Sequence, residues 1–471
     1  MHVNAHLDID LVALDEPRGL TCLLEITAPE GIAADRPPRT LIMVLDRSGS
    51  MAGERLAAAQ EAICDLVRRL SAADSFGLVT FDNEAVLALP VRPMGQCDRS
   101  EIARQVRAIR PGGSTNLGAG YLIALREARA VVAEMPRRSA TILLLSDGHA
   151  NQGLVDADQL FGLAQAAAER VTTSTVGIGA SYDETLLEAL SRGGAGVHHF
   201  APDPDSAAAI VADTVSDLLS VSALATTVRV VPAAGIAAGV SLLQQLPVVR
   251  DGDGLVATIG DLYAGEERRL LLRFDVPRLT GRGPQVVAHI TVVFTAADTL
   301  TEHRITVPVT VTALPRAEVG TPLPNPIVEV ERLLWETDVR MKEAVVDLQR
   351  DDPAAARRRL AGLRTDLEQM AAPMAAAAPA HYEDLRASIA QVEQRIAELD
   401  SDGEGLTAKR MMAQASASAR GGMSKERAAR IKSERAERAS APPAADGTAA
   451  GGGTAAGDAS APDAGPVGGA S

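Results

Sequence analysis

Two runs of apolar residues, each followed by an aspartate, stand out in the hydrophobic pattern of this 471-residue chain. Residues 41–45 are all apolar and lead into Asp46, and residues 142–145 lead into Ser146 and Asp147. A continuous apolar run of this length is typical of a strand buried on both faces of a parallel sheet. Because open α/β sheets bind ligands at the carboxyl ends of their strands, we expect both aspartates at one sheet edge.

Strand-like and helix-like patterns alternate from residue 39 to residue 221, which predicts an α/β domain with a doubly wound, mainly parallel sheet. The pattern places one helix at about 53–71 and a long one that starts near Thr115 and ends before Pro136. A later helix, at 184–191, has Asp183 as its predicted N-cap.

Two further parts of the chain show the alternation of β-strands. Residues 222–314 contain several strand patterns separated by turn signals, which predicts most of a β-sandwich. Residues 1–38 carry two more strand patterns and a proline-containing linker. We expect the strands of 1–38 to complete the sandwich of 222–314, so that the α/β domain is inserted into it.

Residues 327–400 carry three apolar stripes at heptad-like spacing, for example Leu385, Ile389, Val392, Ile396 and Leu399. Such stripes predict a small helical bundle or a coiled coil, with self-association through this segment as one possibility. The composition changes from residue 401 onward to alanine, glycine, serine and proline without an apolar period, which predicts a disordered tail over 401–471.

The candidate chemistry lies at the ends of the two apolar runs and in a loop between them. Asp46 is followed by Ser48 and Ser50, Thr115 follows a Gly-Gly-Ser loop, and Asp147 ends the second run. Side chains that offer only oxygen suit a hard divalent cation such as Mg²⁺. The sequence therefore predicts a metal site built from three segments.

These three motifs, in this order, resemble the von Willebrand factor type A family and its metal-ion-dependent adhesion site over roughly residues 40–220. The resemblance implies that Ser48 and Ser50 contact Mg²⁺ or Mn²⁺ directly. Thr115 does so in one of two site states, while Asp46 and Asp147 act mainly through waters or hydrogen bonds. A protein partner then supplies an aspartate or glutamate to the last coordination position, so the resemblance implies a binding module and not an enzyme.

The sandwich beside this domain resembles the architecture of bacterial proteins related to the inter-α-trypsin-inhibitor heavy chains. Two other functions stay open at this stage. One is a partner subunit of a separate ATPase or chelatase-like complex, since the chain has no phosphate loop of its own. The other is a Mg²⁺-dependent phosphotransferase, which would need a second aspartate where this chain has Ser48.

Composition narrows the choice of partner and compartment. The net charge of −15 argues against nucleic acid, because phosphate contacts need a basic surface. Three cysteines without paired spacing suggest a reducing compartment, and the first residues do not resemble a signal peptide. We expect no membrane span and a cytoplasmic protein, and the alanine- and arginine-rich composition is typical of bacteria.

Overall fold

The computed structural model describes residues 1–30, 38–134, 139–179, 181–320, 323–377, 379–401 and 404–419. The strands are β1 His2–Leu7, β2 Leu11–Ala13, β3 Arg18–Thr27, β4 Thr40–Asp46, β5 Ser75–Phe81, β6 Ala85–Pro93, β7 Ala140–Ser146, β8 Val171–Ile178, β9 Ala195–Ala201, β10 Val221–Pro232, β11 Gly239–Leu242, β12 Val248–Asp251, β13 Gly254–Tyr263, β14 Glu267–Val276, β15 Gly283–Ala296 and β16 Glu302–Leu314. The helices are α1 Glu54–Arg69, α2 Arg99–Arg107, α3 Leu117–Glu134, α4 Ala157–Gln165, α5 Glu184–Gly193, α6 Pro204–Leu219, α7 Arg316–Val319, α8 Pro326–Gln349, α9 Pro353–Ala377, α10 Pro379–Ser401 and α11 Glu404–Ala419.

The α/β domain is built on a six-stranded sheet with the order β6-β5-β4-β7-β8-β9. Only β6 runs antiparallel to its neighbour. Every residue of β4, β5, β7 and β8 is buried, as the continuous apolar runs predict for strands covered on both faces. The prediction of a doubly wound, mainly parallel sheet is confirmed.

Alternate residues of β4 face two separate cores. Met43 points to the side that carries α1, α2 and α6, and Val44 points to the side that carries α3, α4 and α5. Several helices begin at a side-chain cap, among them α2 at Asp98, α4 at Asp156 and α5 at Asp183. Asp183 accepts a hydrogen bond from the backbone N–H of Leu186, which confirms it as the N-cap of α5.

A β-sandwich flanks the α/β domain. One sheet has the order β1-β3-β14-β11, and the other has the order β12-β13-β10-β15-β16-β2. Leu24 of β3 and Leu272 of β14 share one apolar core with Val230 of β10 and Ile290 of β15. Strands from before and after the α/β domain thus lie in the same two sheets, and their alternate residues fill the space between the sheets.

The outer face of the first sheet is covered by α8. Leu23 and Leu271 pack there against Val328, with Trp335 partly buried beside them. Helices α8 to α11 then form a core of their own that contains residues of the predicted stripes, such as Leu360, Leu363, Leu367, Leu385 and Val392. Trp335 therefore anchors the helical segment on the sandwich.

The structure corrects the predicted tail and adds short elements that the sequence pattern did not predict. Residues 404–419, which we assigned to a disordered tail over 401–471, form helix α11, while 420–471 lie outside the described residues. Helix α11 was missed because the residues it buries are mainly small or flexible, such as Ala408, Met411 and Ala415. Helix α2 and the short strands β11 and β12 were also missed, since each offers too few apolar positions for a periodic signal.

No helix of the described residues combines the length and the apolar character that crossing a bilayer requires.

Candidate metal centre

Asp46 and Asp147 lie side by side at the carboxyl edge of the sheet. Asp46 is the last residue of β4, and Asp147 directly follows β7, the parallel neighbour of β4. Both side chains are fully buried. Ser50 lies in a single turn of 3₁₀-helix, Gly49–Met51, that connects β4 to α1. The sheet topology thus brings the first and third predicted segments to one place.

Hydrogen bonds connect the predicted ligands directly. Ser48 Oγ lies 3.0 Å from Ser50 Oγ, and Ser50 Oγ donates to Asp147 Oδ1 at 2.7 Å. The backbone N–H of Ser48 donates to Asp46 Oδ1 at 2.7 Å, which closes a local turn. Four of the five predicted site residues therefore belong to one hydrogen-bonded group.

Thr115 joins this group across Gly148. A β-carbon built on Gly148 would lie 3.2 Å from Ser50 Oγ, 3.3 Å from Thr115 Oγ1 and 3.8 Å from Ser48 Oγ. The three hydroxyls therefore converge on one point beside this glycine. The backbone N–H of Thr115 donates to Asn151 Oδ1 at 3.0 Å, which fixes the threonine loop against the loop after β7.

Three further residues belong to this centre and were not among the predicted ligands. Ser146 Oγ donates to Asp46 Oδ2 at 2.6 Å and so fixes the buried carboxylate. Arg55, in the first turn of α1, donates through Nη1 to Asp147 Oδ2 at 2.6 Å and to the carbonyl oxygen of Ser50 at 3.3 Å. Gly148 leaves the space in which the hydroxyls meet. Ser146 and Gly148 flank Asp147 and could have been suspected, but an arginine in a first helical turn gives no local signal.

The electrostatics of these side chains favour a bound cation. Burial raises the pKa of Asp46 to about 6, and the nearby charge of Asp147 adds to that rise, while hydrogen bonds from Ser146 and Ser48 oppose it. Two fully buried carboxylates side by side are unfavourable unless a positive charge compensates them. The donor set is neutral hydroxyls and carboxylates, which fits a hard divalent ion. Among the described residues, no group of three or more histidine, cysteine, aspartate or glutamate side chains is arranged to hold a metal.

Other polar residues near the sheet have structural surroundings. His198 is buried and lies within hydrogen-bond distance of Thr175 Oγ1 at 3.0 Å and of Tyr182 Oη at 3.1 Å. Burial lowers the pKa of His198 to about 3, so its imidazole stays neutral. His149, two residues after Asp147, is exposed and lies 3.9 Å from Asp183.

A family model described as the von Willebrand factor type A domain matches residues 40–213. These residues are a von Willebrand factor type A (VWA) domain. The VWA family is a family of metal-dependent protein-interaction modules. The hydroxyls and carboxylates described above are ligands that suit the divalent ion bound by this family. The resemblance inferred from the three motifs is confirmed, and the matched range ends within α6, the last helix of the α/β domain.

Relatives share the VWA domain and in part the segments around it. An uncharacterized Synechocystis protein is 26% identical over 253 residues, which are 52% of this chain and 59% of that protein. Human inter-alpha-trypsin inhibitor heavy chain H4 is 28% identical over 186 residues, which are 38% of this chain but 20% of the heavy chain. The chain therefore spans less than two thirds of these relatives.

One solved structure is similar in fold to more of this chain than the VWA domain. A protein titled von Willebrand factor type A from Catenulispora acidiphila superposes with a TM-score of 0.65 at 15% identity. The superposition covers 84% of this chain and 88% of that one. The superposed part of this chain is longer than the VWA domain at residues 40–213. The similarity in fold therefore includes segments outside the VWA domain.

Proposed function

We propose that this chain is a binding module that holds Mg²⁺ or Mn²⁺ at Ser48, Ser50 and Thr115 and captures an acidic side chain of a protein partner. The convergence of three hydroxyls beside Gly148, backed by two buried carboxylates, carries this proposal. When bound, the ion supplies an electrophilic coordination position for a carboxylate. In this proposal Asp46 and Asp147 orient the hydroxyls and balance the charge of the ion.

Charge balance explains why the partner's group would be an acid. The two carboxylates and the guanidinium of Arg55 together carry one net negative charge, so a divalent cation leaves the centre with one net positive charge. A carboxylate from outside then neutralises the centre. Because binding linkage is reciprocal, metal and acidic partner are expected to strengthen each other's affinity.

Calorimetric titration with Mn²⁺ tests the metal site directly. We expect one ion per chain, and an affinity lower by about 10- to 100-fold in Asp46→Ala, because the buried carboxylate accepts hydrogen bonds from Ser48 and Ser146 and so fixes the loop that carries the ligands. Ser50→Ala is expected to show a loss of the same order. Ser71→Ala, an exposed serine in the turn after α1, is the matched control and should bind like the wild type.

The second arm measures capture of an acid. The Mg²⁺-loaded chain should bind a short peptide that contains an acidic side chain. This binding should disappear on addition of a chelator and in Asp46→Ala. Equal Mn²⁺ affinity in wild type and Asp46→Ala, or peptide binding that is insensitive to the chelator, would contradict the proposal.

A further inference from the structure

We propose that Arg55 is a second anchor for the partner, so that the VWA domain selects an extended segment with two carboxylates at alternate positions. One carboxylate would reach the ion and the other the guanidinium. This inference rests on the proposed function and specifies the class of partner.

Arg55 has unused hydrogen-bonding capacity beside the metal centre. Within the described part of the chain, its hydrogen bonds to Asp147 and to the carbonyl of Ser50 both leave from Nη1. A guanidinium carries five N–H donors, so the edge formed by Nε and Nη2 is available. That edge has the fork geometry that binds a carboxylate through two parallel hydrogen bonds.

Among the described residues, Gly179 lies beside the available edge and places no side chain over it. A side chain at Gly179 would begin 3.5 Å from Nη2 and 4.0 Å from Nε of Arg55, where it would cover the edge. Gly179 has a φ of +74°, a conformation that favours glycine, so the backbone itself keeps this position free of a side chain. The side chain of Arg55 is 37% exposed while that of Asp147 is fully buried.

A second ion pair at the centre also has a partly exposed arginine and a more buried aspartate. Arg47 lies 2.9 Å from Asp82, and here too the arginine is the more exposed partner, at 28% against 12%. Both pairs turn their cation outward and their carboxylate inward. The exposed carboxylate nearest in sequence is Glu54, whose side chain diverges from that of Arg55 by about 100° around α1. Two guanidinium groups that are more exposed than their carboxylate partners favour an acidic segment at this edge of the domain.

The distance between the two anchors fits alternate residues of an extended peptide. Ser50 Oγ and Arg55 Nη1 bond the two oxygens of the Asp147 carboxylate at 2.7 and 2.6 Å, so a single carboxylate group lies between the guanidinium and one proposed metal ligand. Residues i and i+2 of a strand lie on the same face about 7 Å apart. An acidic pair with one residue between its members can therefore reach both anchors at once.

Two peptides that differ in one residue test this inference on the full chain. The probes are acetylated and amidated Ser-Asp-Gly-Asp-Ser and Ser-Asp-Gly-Asn-Ser, and binding is followed by the broadening of peptide proton signals by bound Mn²⁺. We expect the wild type to bind the two-acid peptide about tenfold more tightly, which is 1.4 kcal/mol. Arg55→Gln should lose this preference when the two peptides are compared at a Mn²⁺ concentration that saturates the variant. Arg55→Lys, which keeps the charge but not the fork, should show an intermediate preference.

Arg68→Gln is the matched control, since Arg68 is exposed on the same helix and its loss changes the net charge equally. It should keep the wild-type preference. An undiminished preference in Arg55→Gln, or equal binding of both peptides by the wild type, would overturn the role of Arg55 and leave the metal site intact. Failure of the Mn²⁺-loaded wild type to bind either peptide would overturn the proposed function and this inference with it.

Discussion

At the scale of single residues, the candidate centre depends on a glycine, Gly148, as much as on the five predicted ligands. Gly148 is buried and lies where three hydroxyls meet. Its φ is not in the left-handed region, so alanine fits the backbone at this position. Glycine is therefore required because a side chain at this position would occupy the space beside the three hydroxyls.

We expect Gly148→Ala to lower Mn²⁺ affinity by about 10- to 100-fold, because the new methyl group would displace the hydroxyls of Ser50 and Thr115. The change in melting temperature should be small by comparison. Calorimetric Mn²⁺ titration and thermal unfolding followed by circular dichroism measure the two effects separately.

Gly162→Ala is the control for this substitution. Gly162 lies in α4, and a β-carbon there meets no atom within 4 Å. This variant should bind Mn²⁺ normally and gain about 0.5–1 kcal/mol in unfolding free energy, as glycine is unfavourable inside a helix. Wild-type Mn²⁺ affinity in Gly148→Ala would show that the hydroxyls do not meet where the structure places them.

At the scale of elements, the docking of the helical segment relies on lysine, which is rare in this chain. The sequence has four lysines, and the two within the described residues, Lys342 and Lys409, both contact α5 of the VWA domain. Lys409 of α11 is buried, donates to the carbonyl of Tyr182 at 2.7 Å and lies 4.1 Å above the centre of its ring. Burial raises the pKa of Glu184, but the hydrogen bond and charge of Lys409 more than offset this, so that the pKa is lowered.

We expect Lys409→Met to detach α11 from the VWA domain, at a cost of about 3 kcal/mol, because Glu184 then loses its cation in a partly buried position. Amide hydrogen exchange should speed up in α11 and at the start of α5. The double variant Lys409→Met/Glu184→Gln should recover part of the loss, since no unpaired charge remains. Unchanged exchange in Lys409→Met would mean that this contact does not hold α11.

At the scale of the whole molecule, one buried carboxylate connects the VWA domain to the sandwich where the chain passes between them. Asp261 of β13 accepts hydrogen bonds from Ser139 Oγ at 2.8 Å and from the backbone N–H of Ala225 at 2.9 Å, and lies 4.0 Å from Arg39. Arg39, directly before β4, donates to the carbonyl of Val221 at the start of β10. Entry and exit of the inserted domain thus share one polar cluster.

We expect Asp261→Ala to lower the unfolding free energy by about 3 kcal/mol, since it leaves the buried guanidinium of Arg39 without this carboxylate. Urea unfolding followed by circular dichroism measures the loss. Asp251→Ala removes an exposed partner of Arg229 from the same sheet and should cost about 0.5 kcal/mol or less. Equal stability of the two variants would contradict the structural role of Asp261.

The sequence by itself determined the features that repeat over short stretches of chain. The apolar runs of β4 and β7, the cap at Asp183 and the stripes of α9 and α10 each depend on neighbours within a few residues. The spacing of Asp46, Ser48 and Ser50 is equally local. Fold class could therefore be predicted, because burial leaves its period in the residues that are buried, whereas the candidate ligands followed from the resemblance of three motifs to the VWA family.

The tertiary structure alone decided which polar groups meet. Ser146 bonds Asp46 across 100 positions, and Arg55 bonds Asp147 across 92. Helix α11 docks through Ala408, Met411, Ala415 and one lysine, and alanines at this spacing give only a weak hydrophobic signal. The physical reason is that hydrophobic burial is non-directional and recorded locally, whereas a hydrogen bond or ion pair requires two particular groups that only the folded chain brings within 3 Å.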